Sequence, residues 1–178
     1  MRRDILSVLR VGELIIADGS MGAMLDRAGL PAGTVPEAWN LERPDAVAAV
    51  HRAYRDAGAQ LLLTNTVGGN RARLSDAGLG DRTAEINRAA ATLARRVADE
   101  DDGSGRELWV AGSVGPTGRL MEPYGPLTPK EAEDIFAEQI AALVEGGIDL
   151  VLAETHYDAD EMSRVLRAAR QVCDLPVF

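Results

Sequence analysis

At 178 residues, with 46% apolar and 26% charged side chains, the chain has the make-up of one globular domain large enough to bury a core. Its 28 acidic residues against 19 basic ones leave a formal net charge of −9, which excludes a general attraction to nucleic acid or to an anionic membrane surface. A single cysteine, Cys173, excludes an internal disulfide and a multi-thiolate metal centre built from this chain alone.

Taken in chain order, the N-terminal stretch begins with two arginines. Asp4, Arg10 and Glu13 interrupt any secretory leader, and no apolar run approaches the roughly 20 residues of a bilayer span. The expectation is a soluble cytoplasmic protein. Leu14–Ala17 is the first short apolar run and reads as a strand. Pro44–Gly58 then places Val47, Val50, Tyr54 and Ala57 on one helical face. The second strand is Leu61–Leu63, followed by a helix over Thr83–Ala98 with Ile86, Ala90, Leu93 and Val97 as its stripe. The acidic, glycine-containing stretch Asp99–Gly105 reads as a solvated loop before the third strand, Leu108–Ala111. Thr128-Pro129-Lys130-Glu131 has the form of a capping box with proline at the first helical position, and Gly146-Gly147 closes that helix. Leu150–Ala153 is the fourth strand. The last helix opens at Asp158, with Glu161 three residues on, and a fifth strand begins at Leu175–Phe178.

Strands alternating with helices at a near-constant interval imply βαβ units and a parallel sheet. Two architectures fit: a small doubly wound sheet of four or five strands, or a (β/α)8 barrel of TIM type, which takes about 250 residues. Four βα units and the start of strand 5 are present, and this favours a barrel cut to its N-terminal half, with residues 1–178 as a single domain.

Parallel α/β folds collect chemistry at the C-terminal ends of their strands. Those ends carry Asp18-Gly19-Ser20-Met21-Gly22, Thr64-Asn65-Thr66, Gly112-Ser113-Val114-Gly115-Pro116 and Glu154-Thr155. The set suits a zwitterionic amino acid, with the carboxylates of Asp18 and Glu154 for the ammonium, and hydroxyls and backbone N–H groups for the carboxylate. The plainer alternative makes Asp18 and Glu154 helix caps or turn formers. No glycine-rich dinucleotide or phosphate loop is present. His51 lies beside an apolar helix face and reads as structural. His156 stands at a strand end with access to the pocket, though packing accounts for it better than catalysis. Cys173 continues the apolar stripe of Val165, Leu166, Ala169 and Val172 and reads as a core thiol. Trp39 and Tyr124 sit in loops and either wall a pocket or pack.

Asp18–Leu25 (DGSMGAML), Trp39-Asn40-Leu41, His51–Gly58 (HRAYRDAG), Thr64-Asn65-Thr66, Gly112–Gly118 (GSVGPTG), Leu143–Asp149 (LVEGGID) and Glu154-Thr155 fall in the order seen in one family. Over essentially its whole length the chain resembles the homocysteine S-methyltransferases, which include the homocysteine-binding module of cobalamin-dependent methionine synthase and betaine–homocysteine methyltransferase. The resemblance implies a (β/α)8 barrel with homocysteine at its C-terminal mouth. Asp18 and Glu154 would bind the ammonium, Gly19 and Met21 would line the first turn, and Thr64 and Ser113 would complete the cradle.

The resemblance also implies a zinc ion held by three cysteines, which delivers the thiolate of a thiol whose free pKa is about 8.5. It further implies a methyl donor such as methylcobalamin, carried by a corrinoid protein or domain. The cysteine ligands are absent from this sequence, so no metal site is expected in it and the chain alone is expected to be inactive. The alternative is a non-catalytic half-barrel that binds an amino acid or docks to a separate chain. Its exposed sheet edges predict self-association.

Overall fold

Alternation along three short strands decides which side chains face the helices and which face the opposite side of the sheet. The computed structural model describes residues 3–101 and 103–178. Helix α1 (Ile5–Arg10) starts at Asp4, whose carboxylate accepts the Ser7 N–H at 3.0 Å. An extended stretch to Asp18 leads to α2 (Met21–Arg27), capped by Ser20. A 3-10 turn at Pro36–Ala38 precedes α3 (Trp39–Glu42) and α4 (Pro44–Asp56). Then come β1 (Leu61–Leu63), α5 (Arg71–Asp76), α6 (Thr83–Asp99) and β2 (Trp109–Val114). The chain continues through α7 (Pro129–Glu145), β3 (Leu150–Ala153) and α8 (Ala159–Val172).

The strands are parallel in the order β1-β2-β3, with Leu61 opposite Trp109 and Ala111 opposite Leu150. Single parallel bridges, Ala17 to Leu61 and Val177 to Val151, extend this array on its two sides. Five parallel segments therefore lie side by side in chain order. A doubly wound sheet reverses its strand order at a switch point; no reversal occurs among the described residues, so that alternative is set aside.

One face of the sheet carries Leu62, Val110, Val114 and Val151. It packs on Phe136, Ile140 and Leu143 of α7, on Val165 and Ala169 of α8, and on Val97 of α6. The opposite face carries Leu61, Leu63, Trp109, Ala111, Leu150 and Leu152, and α1 covers its lower end with Ile5 and Val8. Trp109 satisfies its buried indole N–H on the Arg3 carbonyl at 3.0 Å. Helices α6 and α7 approach so closely that a Cβ on Gly146 would stand 2.4 Å from that of Ala91, a contact only glycine permits there.

Several expectations are corrected. Leu14–Ala17 is not a regular strand: it pairs on one side only, through Asp18 N–H to Leu61 O (2.9 Å) and Gln60 N–H to Ile16 O (2.7 Å). Leu14 and Ile16 stay 90% and 61% exposed. Leu175–Phe178 is held in the same one-sided way against β3. The third strand runs three residues further than read, to Val114, because Gly112 and Ser113 stay in register with Val151 and Leu152. The capping box at Thr128 and Glu131 forms with both of its bonds. At α8, Asp158 caps Asp160 and Glu161, but the Glu161 carboxylate leaves the helix for Thr117. The acidic stretch is not wholly solvated, since Glu100 binds Arg52 and Arg55 and ties α4 to the end of α6. Asp102 in that stretch, and Met1 and Arg2 of the N-terminus, lie outside the described residues.

Candidate functional site

The ends of the parallel segments open into a cavity of about 450 Å³. All six residues expected to form the site, Asp18, Gly19, Met21, Thr64, Ser113 and Glu154, line it. Asp18 is fixed because its own N–H bonds Leu61 O and its Oδ2 accepts the Leu63 N–H at 2.9 Å. Its Oδ1 is buried and has no partner. Burial pushes the Asp18 carboxyl up to about 7, with the nearby Glu154 charge adding to the effect and the Leu63 N–H opposing it. Gly19 lies against Tyr54, whose hydroxyl would stand 3.0 Å from a Cβ at that position and donates to Ser20 O at 3.1 Å.

Proton bookkeeping defines what the hydroxyls offer. Thr66 Oγ1 donates its one proton to Ser113 O at 2.7 Å, so in the 2.6 Å contact between the two threonine hydroxyls Thr64 is the donor. Thr64 Oγ1 also accepts the Ser113 N–H at 3.0 Å. Ser113 spends its own proton on Glu154 Oε1 at 2.5 Å. Both hydroxyls therefore present only lone pairs. This corrects the expectation that they serve a ligand's carboxylate: together with Asp18 and Glu154 they form an acceptor-rich wall suited to a cation. Thr155, next to Glu154, holds φ at +64°, a left-handed conformation rare for a β-branched residue, which turns the chain sharply just beyond that carboxylate.

Other singled-out residues lie elsewhere. The His156 ring turns away from this cavity; its Nε2 donates to Val114 O at 3.2 Å and it meets the Phe136 ring in a T-shaped contact. His51 is fully buried with neither ring nitrogen partnered, and burial pulls its pKa down to about 4. Trp39 belongs to α3 and packs with Leu25 and Val47 beneath the Arg43 guanidinium, while Tyr124 is 86% exposed. Cys173 ends α8 in extended backbone, half-buried against the helix layer. Of the further cavity residues, Glu37 was not foreseen, whereas Asn65 and Thr66 belong to the Thr64-Asn65-Thr66 strand end already read as bearing chemistry. Nothing local marked Glu37, whose burial is set by packing.

Among the described residues, no three His, Cys, Asp or Glu side chains come together to hold a metal ion. Cys173 faces the helix layer, away from Asp18 and Glu154. The donors present do not fit a thiolate zinc centre.

A family model described as homocysteine S-methyltransferase matches residues 15–178, and the chain belongs to that family. It is 32% identical to a methionine synthase of Mycobacterium tuberculosis and 31% identical to one of Mycobacterium leprae, over 98% of this chain and 15% of each relative. Among solved structures, the Escherichia coli homocysteine methyltransferase MmuM superimposes with a TM-score of 0.83 in its metallated form, at 22% identity, covering 97% of this chain and 64% of that one. Its oxidized form gives 0.86 at 21% identity, covering 99% and 64%. At such identities the likeness concerns the fold. No helix among the described residues is long and apolar enough to cross a membrane.

Proposed function

We propose that the cavity binds homocysteine, with its ammonium among Asp18, Glu154 and the lone pairs of Thr64 and Ser113. One observation carries this reading: a buried carboxylate oxygen, Asp18 Oδ1, is left without a donor in a cavity where the Thr64 and Ser113 hydroxyls have given their protons to other acceptors. An unpaired buried acceptor is costly, and a ligand ammonium supplies the missing donor. Gly19 and Met21 line the first turn of the same site. The sequential parallel order, with the helix layer on one face, supports a (β/α)8-barrel architecture of which residues 1–178 form the N-terminal part.

In the family the bound thiol accepts a methyl group, and zinc and a corrinoid donor such as methylcobalamin are the accompanying proposals, with the corrinoid on a separate protein or domain. The described residues do not bring zinc ligands together, so no step is routed through the metal. This chain's part is to bind and orient the amino acid, in the cytoplasm, and by itself it transfers no methyl group. A second reading, docking of this half-barrel to a separate chain, draws on the exposed Leu14 and Ile16 along a one-sided edge. Calorimetric titration of the 178-residue chain with homocysteine and with 4-mercaptobutanoate, which lacks the amine, tests the proposal. Binding of homocysteine alone supports it; equal binding of both, or of neither, overturns it.

A further inference from the structure

The loop Thr66–Gly69, which follows β1, is gripped from three separate elements. Glu37, 6% exposed in the turn before α3, accepts the Gly68 N–H on Oε1 at 2.7 Å. Asn87 of α6 donates from Nδ2 to Gly69 O at 2.7 Å, and Gln139 of α7 donates from Nε2 to Thr66 O at 2.8 Å. Both amides are fully buried.

The grip leaves no room for side chains. A Cβ on Gly68 would stand 2.9 Å from Glu37 Oε1, and one on Gly69 would stand 2.6 Å from Asn87 Oδ1. The loop in turn shapes the site. Thr66 bonds Thr64 and Ser113 O, Val67 O accepts the Gly115 N–H at 3.1 Å, and Val67 lines the cavity. Nothing in the chemistry of helix packing requires three buried polar side chains here, since apolar residues fill such space without needing partners.

We propose that Glu37, Asn87 and Gln139 are positioning residues that together hold Thr66–Gly69 in the shape that orients Thr64 and Ser113; the inference rests on the homocysteine-binding reading. Each acts through a backbone group of the loop. Glu37 borders the cavity, but its Oε1 is committed to the Gly68 N–H.

The test uses the 178-residue chain and two readouts, amide hydrogen exchange and homocysteine affinity. Glu37→Met and Gln139→Met keep side-chain bulk and remove the hydrogen bonds from different elements, so the test survives if one variant fails to fold. In each, exchange at Gly68, Gly69 and Gly115 is expected to rise about tenfold, with amides in α8 unchanged. Homocysteine Kd is expected to rise about 5- to 100-fold. Glu37→Gln keeps an acceptor for the Gly68 N–H and restores both values to within about threefold of the parent.

Two results overturn the inference: exchange rising evenly across the molecule, or Glu37→Gln losing as much affinity as Glu37→Met, which would make Glu37 a direct ligand of the substrate cation. If the parent chain fails to bind homocysteine, the proposed function falls, and the exchange pattern alone still decides whether these three side chains hold the loop.

Discussion

The Ser113 hydroxyl donates to Glu154 Oε1 at 2.5 Å, joining β2 to the residue just beyond β3. A hydroxyl bonded to a carboxylate forms a charge-assisted contact, which fixes the acceptor's orientation as well as its position. Glu154 therefore meets a ligand from a set direction, with its other oxygen uncommitted to Ser113.

Replacing that charge separates its role from its geometry. Glu154→Gln keeps an acceptor for Ser113 and removes the charge, so homocysteine binding should weaken by roughly 10- to 150-fold, the equivalent of a charge-assisted contact of about 1.5–3 kcal/mol. His156→Ala should change affinity far less, because that ring bonds Val114 O outside the cavity. Calorimetric titration of both variants checks this pair.

Asp18 couples binding to pH. Its carboxyl, ordinarily at 3.8, is raised to about 7 mainly by burial, so in the unliganded chain this group favours the folded state below 3.8 and loses that contribution as pH rises through about 7. An ammonium ligand acts in the opposite sense, since it needs the ionised carboxylate. Homocysteine affinity should rise with pH up to about 7 and then level, with proton release on binding at pH about 6. Titration in buffers of differing ionisation enthalpy measures the released protons, and Asp18→Asn should abolish the release.

Glu161 supplies an acid-side counterpart. Burial alone would push its carboxyl up, but His156 and the Thr117 hydroxyl and N–H, at 2.5 and 2.8 Å, hold it below its ordinary 4.5. Its contribution to stability is complete above 4.5 and is lost as pH falls through the lowered value. Glu161→Ala should cost about 2–4 kcal/mol at neutral pH by stranding the Thr117 donors, and should flatten the acid limb of stability. Urea unfolding between pH 3 and 7, run on both proteins, gives the comparison.

The flanks of the sheet should associate. Leu14 and Ile16 lie exposed on a segment whose backbone is paired on one side only, an arrangement that templates further strand pairing. Sedimentation should show mass rising with protein concentration, and Ile16→Lys should shift the chain toward monomer. A monomer at every concentration would count against an open edge.

Much of this was legible because the informative residues act locally. Thr128 and Glu131 form their capping box from four consecutive positions, and the strand ends at Asp18, Thr64, Ser113 and Glu154 follow from where short apolar runs stop. The rest depends on distant packing. Leu14–Ala17 has the composition of a strand but a partner on one side only. Glu37 reads as an ordinary polar residue beside a proline, and only the fold brings it to Gly68. His156 follows Glu154 by two residues, so simple alternation sends both into the pocket; the left-handed Thr155 between them breaks the alternation and turns the imidazole toward Phe136. The hydroxyl protons of Thr64 and Ser113 could not be assigned before their partners were known.

The side-by-side order of the five parallel segments has a consequence for how the chain is made. Each segment docks against the one synthesised just before it, so no strand must be inserted later between two already paired. Contacts of this kind close loops of only one strand–helix repeat, which keeps the entropy of each closure modest. Growth from the ribosome can thus add one finished layer at a time at the newest flank, while the first segment, Leu14–Ala17, keeps the open edge it had from the start.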